Sequence, residues 1–201
     1  ANLDDKGTSI DVDNSGNIYV GGYATNSGTG GKDFTVIKYN NAGVQQFVYT
    51  KNGTAVNSND VANKLVWNAN RLYVTGNVTN LVSNQDIFVS RLNAMNGNVD
   101  WSQTLNGTAS GADQSLDIKL YGNDLLICGG ITNTGTGQDY FFSKFNSANG
   151  NVSFTKTYNG FGANDFATSL VADASNKYAV VGLVQSGSNY EYHTVYFLTN
   201  G

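Results

Sequence analysis

Apolar residues occur along this chain in short stretches that are separated by glycine and asparagine. The stretches hold five to eight residues, are rich in Val, Ile, Tyr and Phe, and are interrupted every 8 to 15 residues. Short runs with this composition and these boundaries are typical of β-strands, whereas helices need longer apolar periodicity. The pattern therefore predicts an almost purely β fold.

The stretches belong to a repeat of about 53 residues that occurs four times. The segment NIYVGG (17–22) recurs as RLYVTG (71–76), DLLICGG (124–130) and KYAVVG (177–182). The glycines that close this segment are spaced by 54, 53 and 53 residues, at Gly22, Gly76, Gly129 and Gly182. A fixed period of this length indicates a repeat architecture, in which each unit buries its faces against its neighbours.

The first three repeats contain four apolar stretches and the fourth contains three, and we place all repeats in one domain that spans residues 1–201. The units occupy 5–59, 60–112, 113–164 and 165–201. The third stretch begins at Asp33, Asp86 and Asp139, and YHTVYFLTN (192–200) is its diverged fourth copy. The fourth stretch is anchored by Phe47, Trp101 and Phe154, and unit four contains no such anchor.

The third stretches are apolar on both sides of the predicted strand. Phe34 and Val36 alternate with Ile37 and Tyr39, which point to the opposite face. A sheet with one solvated face would instead alternate between polar and apolar residues. Each sheet must therefore be covered on both sides, which radially packed propeller blades achieve. The sequence predicts an all-β propeller segment of four four-stranded blades, the last of which lacks its outer strand.

The repeat pattern is clearest in two segments of the first unit, DVDNSGNIYVGGYAT (11–25) and KDFTVIKYNNAG (32–43). It resembles the bacterial SBBP-type β-propeller repeat, and the resemblance extends over all four units. In the fourth unit, Tyr192 replaces the expected Asp, and Phe197 stands where Lys38 stands in the first. The resemblance implies a secreted or surface protein of bacteria, often built into a long multi-domain chain. It implies no shared catalytic motif.

The two ends of the sequence predict an incomplete ring. The fourth unit stops at Gly201, 37 residues into a period of about 53, and only four residues precede Asp5. We therefore expect that this chain cannot close a ring with its own strand. Three alternatives follow: a part of a longer propeller, a half-propeller that pairs with a second copy, or a four-bladed ring with an open seam. Either of the first two implies a protein partner or further blades.

Composition excludes several classes of function. Charged residues make up 13% of the chain and the net charge is −4, whereas nucleic-acid binding requires a basic patch. No apolar run approaches 18 residues, so we expect no membrane insertion. The abundance of Asn, Thr and Gly with few charges is typical of exported bacterial proteins. We therefore expect a secreted or cell-surface location.

The segment Asp11–Gly16 matches the opening of a calcium loop, because closely spaced oxygens can hold a hard cation. Its twelfth position is Gly22, however, so the bidentate Glu is missing. A hairpin turn accounts for the composition, and we expect a turn without metal.

Two sets of repeated aspartates could line a channel or accept backbone N–H bonds at strand starts, and we expect the second role. They are Asp5, Asp60, Asp113 and Asp165, and Asp33, Asp86 and Asp139.

The remaining candidates also favour packing over chemistry. The sequence shows no nucleophile or acid that could act together with His193. Cys128, the single cysteine, aligns with core positions of the second strand. Four aromatic residues could stack against sugar rings, although strand aromatics more often pack between blades. They are Tyr23, Trp67, Tyr140 and Phe161. We predict no catalytic, cofactor-binding or metal-ligating residue and no cofactor.

These observations favour a non-enzymatic scaffold or protein-interaction module. The alternative is a carbohydrate-binding or adhesive surface module, in which glycan would be the ligand. An enzyme is not expected, because the repeated residues contain no convergent nucleophile, base or metal cluster. Fold analogy supplies the first reading, and a fold alone does not fix a function.

Overall fold

The computed structural model of the protein describes residues 3–28, 31–82, 84–173 and 177–197. Within these ranges every regular element is a β-strand, which confirms the all-β prediction. In chain order the strands are β1 (Lys6–Val12), β2 (Ile18–Thr25), β3 (Lys32–Tyr39), β4 (Gln45–Lys51), β5 (Val61–Asn68), β6 (Arg71–Asn80), β7 (Asn84–Asn93), β8 (Val99–Leu105), β9 (Gly111–Ala112), β10 (Gln114–Tyr121), β11 (Asp124–Asn133), β12 (Gly137–Asn146), β13 (Val152–Tyr158), β14 (Phe166–Ala172), β15 (Tyr178–Ser186) and β16 (Asn189–Phe197). None of these ranges forms a helix of the length and apolarity needed to span a membrane.

The strands form four antiparallel sheets in which neighbours in the chain are also neighbours in the sheet. The orders are β1-β2-β3-β4, β5-β6-β7-β8, β10-β11-β12-β13 and β14-β15-β16, and we call these sheets blades 1 to 4. The short strand β9 lies parallel to the start of β7 and leads into blade 3. In the described residues blade 4 has three strands. The predicted arrangement of four blades, of which the last has three strands in the described part of the chain, is confirmed.

The first strand of each blade lies beside the first strand of the next blade. β1 contacts β5, β5 contacts β10, and β10 contacts β14. The second strand also packs across the junction, since β2 contacts β5 and β11 contacts β14. The four sheets therefore follow one another along a shared inner edge, as propeller blades do.

Each blade has two apolar faces, because side chains alternate along its strands. We call the face turned toward the preceding blade the N-side face and the opposite one the C-side face. Tyr19, Phe34 and Val36 on the C-side face of blade 1 form one buried cluster with Leu65 and Val74 of blade 2. Equivalent clusters lie between blades 2 and 3 and between blades 3 and 4. The core therefore consists of three layers between blades.

The repeated glycine lies where the second strand of a blade passes closest to the first. In blade 2 the strand register shifts between Ala62 and Lys64, directly opposite Gly76. A Cβ atom at Gly76 would overlap the carbonyl oxygen of Val61, and the other three glycines have the same conflict in their own blades. The φ angle at these positions is not positive. Glycine is thus required by close backbone approach at a β-bulge.

The pairing in blade 4 corrects our sequence alignment of its third strand by one residue. Glu191 pairs with Val184, as Asp33 pairs with Ala24, so Glu191 rather than Tyr192 takes the aspartate position. Tyr196, rather than Phe197, takes the position of Lys38. The β15–β16 hairpin joins Ser186 to Asn189 through two residues, whereas the hairpins of blades 2 and 3 use three. The shorter turn displaces every later residue by one.

Gly76→Ala should lower the free energy of unfolding by about 3 kcal/mol, because the new Cβ must push β5 and β6 apart. Gly7→Ala is the matched control, since the equivalent positions in the other blades carry Ala or Ser and the nearest atom to its Cβ is Val20 Cγ1 at 3.4 Å. We expect the control to change stability by less than about 0.5 kcal/mol. Urea unfolding followed by tryptophan fluorescence measures both, and equal losses would contradict the steric explanation.

Candidate functional site

The aspartates at the unit starts bind backbone amides at the junctions between blades. Asp60 Oδ2 accepts a hydrogen bond from Gly53 N (2.8 Å), and Oδ1 accepts one from Thr79 N (2.6 Å). Gly53 belongs to the chain that arrives from blade 1, whereas Thr79 belongs to blade 2 itself. Asp113 and Asp165 make the same two bonds at the following junctions. Each carboxylate therefore joins the crossover, the segment that connects two blades, to the second of these blades by hydrogen bonds.

The backbone of these aspartates adds a second tie at the same place. Asp60 N donates to Lys32 O (2.7 Å), and Asp113 N donates to Gln85 O (2.8 Å). Both acceptors lie at the start of the third strand of the preceding blade. Asp60, Asp113 and Asp165 thus act as junction residues, as expected from the sequence, and both carboxylate oxygens of each are engaged rather than free to line a channel. Asp5 is exposed and accepts a hydrogen bond from Thr25 N of its own blade.

Burial sets the electrostatics of these carboxyl groups. Asp60 and Asp113 are almost completely buried, and loss of hydration raises the pKa of each above its ordinary value. The backbone N–H donors of Gly53 and Thr79 act in the opposite direction on the pKa of Asp60. A raised carboxyl pKa can indicate a catalytic acid, but these groups are closed off from solvent. Their environment is that of structural residues.

The second set of aspartates closes the hairpins between the second and third strands. Asp86 Oδ2 accepts a hydrogen bond from Asn80 Nδ2 (2.6 Å), and Asp139 Oδ2 accepts one from Asn133 Nδ2 (2.8 Å). These carboxylates face amide donors, which do not favour a cation. In the described part of the chain, no group of three or more His, Cys, Asp or Glu side chains is placed to hold a metal ion.

The segment Asp11–Gly16 forms the end of β1 and a hairpin turn. Asp13 Oδ1 accepts hydrogen bonds from Ser15 N and Asn17 N (both 2.9 Å). Burial opposes ionisation of this carboxyl, but these bonds together with those from the Asn17 and Tyr19 side chains outweigh it and lower the pKa of Asp13. Asp11 Oδ2 accepts a hydrogen bond from Trp67 N (2.7 Å) across the junction with blade 2. The oxygens that a cation would need therefore bind N–H and O–H donors.

His193 and Cys128 both lie in packed positions between blades 3 and 4. The imidazole of His193 stacks on the ring of Tyr158 at 5.2 Å, and its backbone carbonyl accepts a hydrogen bond from Tyr140 Oη (3.1 Å). Cys128 is fully buried, and loss of hydration raises the pKa of its thiol. A buried thiol with a raised pKa forms little thiolate and is a poor nucleophile.

The four aromatic residues proposed as sugar platforms are not brought together. Tyr140 is buried between blades 3 and 4, and Trp67 packs at the junction of blades 1 and 2. Tyr23 lies under the Lys32 ammonium at 4.4 Å, and Phe161 is exposed in the connection between β13 and β14. These rings share no surface, so this residue set does not form one binding face.

The described structure instead presents two unpartnered apolar sheet faces, at its first and last blades. Ile10 in β1 is 69% exposed, whereas Leu65, Ile118 and Leu170, which pair at the same register position in blades 2 to 4, are 5%, 2% and 4% exposed. Each of the three buried residues is covered by the preceding blade. In the described residues no blade covers Ile10.

We define the N-side end face as the open surface of blade 1 formed by Ile10, Ile18, Val20, Ile37 and Tyr39. A hollow of about 210 Å³ opens on this face, and its lining includes Val20 and Ile37. The residues in the same register in blade 2, among them Leu72 and Val74, are fully buried. The sequence signalled this face by its apolar alternation, but it could not show that the face lies open.

We define the C-side end face as the open surface of blade 4 formed by Val171, Ala179, Val181, Tyr192 and Tyr196. Tyr192 is 76% exposed, whereas Phe34, Ile87 and Tyr140, at the same register position, are buried. A second hollow of about 210 Å³ lies on this face between the tyrosine rings and the strands. The one-residue error in the sequence alignment concealed this equivalence.

Long polar side chains complete the first two internal junctions beside the apolar layer. Lys38 Nζ donates to Ala94 O (2.8 Å) from blade 1 to blade 2, and Arg91 Nη1 donates to Ser147 O (2.9 Å) from blade 2 to blade 3. The acceptors are equivalent carbonyl groups that follow the third strand of the next blade. These two junctions therefore combine an apolar layer with a donor that reaches a backbone carbonyl, whereas the equivalent Lys144 donates to Asp124 Oδ2 (3.0 Å) within its own blade.

Asp113→Ala should lower the free energy of unfolding by about 2 to 4 kcal/mol, because it leaves the amides of Gly107 and Thr132 buried without their acceptor. Asp5→Ala is the matched control, since Asp5 is exposed and accepts a bond from Thr25 N (2.8 Å). We expect the control to cost less than about 1 kcal/mol. Urea titration measures both, and a loss at Asp5 as large as that at Asp113 would contradict a junction role.

The Cys128 thiol should stay unreactive toward a disulfide reagent in the native protein and react fully after unfolding in urea, because burial disfavours its thiolate. Val82→Cys is the positive control, since this side chain is 89% exposed. Absorbance of the released thiol follows the reaction at mildly alkaline pH. Labelling of native Cys128 as fast as that of the control thiol would contradict the assignment.

Comparison with known protein families found one match, at the start of the chain. The family model described as a β-propeller repeat, SBBP, matches residues 1–28. A comparison with curated protein sequences gave no match.

Two solved structures share the fold at low sequence identity, and a third has a lower TM-score. The quinohemoprotein alcohol dehydrogenase of Comamonas testosteroni has a TM-score of 0.57 and 13% identity, over 89% of this chain and 29% of that one. The quinohemoprotein alcohol dehydrogenase ADHIIG of Pseudomonas putida HK5 has a TM-score of 0.58 and 13% identity, over 91% and 29%. The β-propeller domain of the trilobed protease of Pyrococcus furiosus has a TM-score of 0.49 and 9% identity, over 96% and 54%.

The chain thus spans 29% of the length of either dehydrogenase, and at this identity the likeness concerns the fold alone. The four-fold repeat, the blade order and the match at residues 1–28 all agree. Together they show that the chain has a β-propeller fold, and its first 28 residues are similar to the SBBP repeat.

Proposed function

We propose that this chain is a non-enzymatic β-propeller scaffold that binds protein through its two end faces, with further propeller blades as the partner. The observation that carries this proposal is the contrast between Ile10, which is 69% exposed, and its three buried counterparts. Exposed contiguous apolar surface marks interaction sites in soluble proteins. The surface left open here has the same residue pattern as the surfaces that the chain buries three times internally.

The polar residues support a structural rather than a catalytic role. The repeated aspartates bind backbone amides or asparagine side chains, and His193 and Cys128 are packed between blades. A catalytic site would need a nucleophile, base or oxyanion donor converging on one pocket. The hollow on the C-side end face is lined mainly by aliphatic and tyrosine side chains, and the one on the N-side end face is lined by Val20, Ile37 and several glycines among others, which suits burial against another sheet.

The proposal includes export to the bacterial cell surface or the medium. The likeness to SBBP-type repeats supports this location, as does the low content of charged residues. Repeat arrays whose units bury their faces against neighbours require something to cover the terminal units. A scaffold of this kind would therefore operate within a larger propeller or assembly.

A chain in which two copies are joined by a flexible linker tests the proposal directly. The linker holds the end faces of one copy at millimolar effective concentration relative to those of the other copy. If the faces fit, the end blades of the two copies should therefore stack on each other. We expect the joined chain to unfold at a higher temperature than the single chain and to bind less of an apolar dye per copy. The same joined chain with Ile10→Asp and Tyr192→Asp in both copies should lose this increase in unfolding temperature. An unfolding temperature equal to that of the single chain would contradict the proposal.

A glycan-binding surface is the second candidate, and one observation favours it. Tyr190, Tyr192 and Tyr196 are exposed along the same side of β16, where their rings could stack on sugars. A glycan array probed with the full chain tests this candidate, with Tyr192→Ala as the test variant and Phe161→Ala as an exposed aromatic control. Binding lost in the first variant alone would support it, and silence across a broad array would count against it.

A further inference from the structure

We propose that the C-side end face of one copy docks on the N-side end face of a second copy, so that copies of this chain associate head to tail. This inference rests on the proposed function and adds the identity of the partner and the residues that meet. The three internal junctions supply the template, because each joins a C-side face to the N-side face of the next blade. The open faces at the two ends are the two halves of one more such junction.

Tyr192 is the residue that carries the contact on the C-side end face. Its counterpart Tyr140 is buried by blade 4, where its hydroxyl donates to His193 O (3.1 Å). The residue in blade 1 that corresponds to His193 is Thr35, since they pair with Gly182 and Gly22 respectively. The hydroxyl of Tyr192 can therefore donate to Thr35 O of the second copy.

The N-side end face has the room that this tyrosine needs. Phe88 and Phe141 occupy the position of Thr35 in blades 2 and 3, and Phe88 fills its junction with a ring contact to Phe34 at 5.4 Å. The smaller Thr35 lines the hollow of about 210 Å³ together with Val20 and Ile37. A small residue on one face thus meets a large exposed ring on the other, which is how packed interfaces reach native density.

A polar contact beside the apolar layer fits the same template. Lys38 and Arg91 each donate to the carbonyl that follows the third strand of the next blade. Tyr196 takes their position in blade 4 and keeps a donor, the phenolic hydroxyl. The matching acceptor on blade 1 is the carbonyl of Asn41, which is exposed. The C-side end face therefore carries the hydrogen-bond donor of this contact, and the N-side end face carries its acceptor.

The direction of association follows from the difference between the two faces. Two N-side end faces would bring hollow against hollow, and two C-side end faces would bring tyrosine rings against tyrosine rings. A head-to-tail contact is heterologous, so each copy keeps its other end face available after the first contact forms. The structure therefore favours pairs closed by two such contacts, or longer arrays, over a symmetric contact between identical faces.

Sedimentation velocity of the full chain over a wide concentration range tests this inference. We expect species of two or more copies, and we expect Ile10→Asp and Tyr192→Asp to weaken the association about thirtyfold or more, because each places a charge in a desolvated junction. Both side chains are exposed in the single chain, so the variants should fold. Val82→Asp is the matched control, an exposed apolar residue outside both end faces, and should associate like the unchanged chain.

A mixture of the two variants identifies the orientation. The Ile10→Asp copy keeps an intact C-side end face and the Tyr192→Asp copy keeps an intact N-side end face, so equal amounts should recover a two-copy species that neither variant forms alone. No recovery would overturn the head-to-tail inference, and association of one variant alone would show that identical faces pair. Association of Ile10→Asp as tight as that of Val82→Asp would also overturn it.

The same measurements separate this inference from the proposed function. If separate copies stay single at every concentration while the joined chain gains stability, the inference that separate copies associate fails, and the proposal that the end faces accept propeller blades stands. If the joined chain gains nothing, both proposals fail. Single copies that bind glycan, with binding lost in Tyr192→Ala, would assign the C-side end face to sugar instead.

Discussion

The burial of both faces of every sheet is the constraint on which this structure depends. A four-stranded sheet with apolar residues on each side cannot stand alone in water, so each blade must lie between two others. The three internal junctions satisfy this demand with layers that contain Phe34, Phe141 and Phe142 among their buried residues. The hydrophobic effect thus sets the radial order of the blades, and the same demand applies to the faces at the two ends.

Polar residues then fix the geometry that apolar burial leaves loose. A packed layer resists sliding only weakly, whereas hydrogen bonds to fixed backbone atoms set distance and direction. The carboxylates of Asp60, Asp113 and Asp165 join each crossover to the next blade, and the lysine and arginine donors reach the carbonyl groups beyond it. This use of polar groups explains why a chain rich in repeated aspartates presents no reactive cluster in its described residues.

The divergence of the first and last blades has a physical meaning under this constraint. Thr35 stands where the other blades carry an aromatic or imidazole ring, and Tyr196 stands where they carry a lysine or an arginine. Such changes would disturb an internal junction, but they lie on the two faces that have no neighbour within the described chain. The end blades therefore differ from the inner ones in the residues that a partner would contact.

The sequence by itself determined the fold class, the four-blade repeat and the structural role of the repeated residues, because period and alternation are local properties that survive in every copy. It placed the aspartates and Cys128 in structural positions, and it anticipated a turn at Asp13. Only the tertiary structure decided which faces are open, that the candidate aromatics lie apart, and that Glu191 rather than Tyr192 continues the aspartate row. These features depend on pairing register and on contacts between distant residues, and a hairpin shorter by one residue changes both without altering the pattern of apolar stretches.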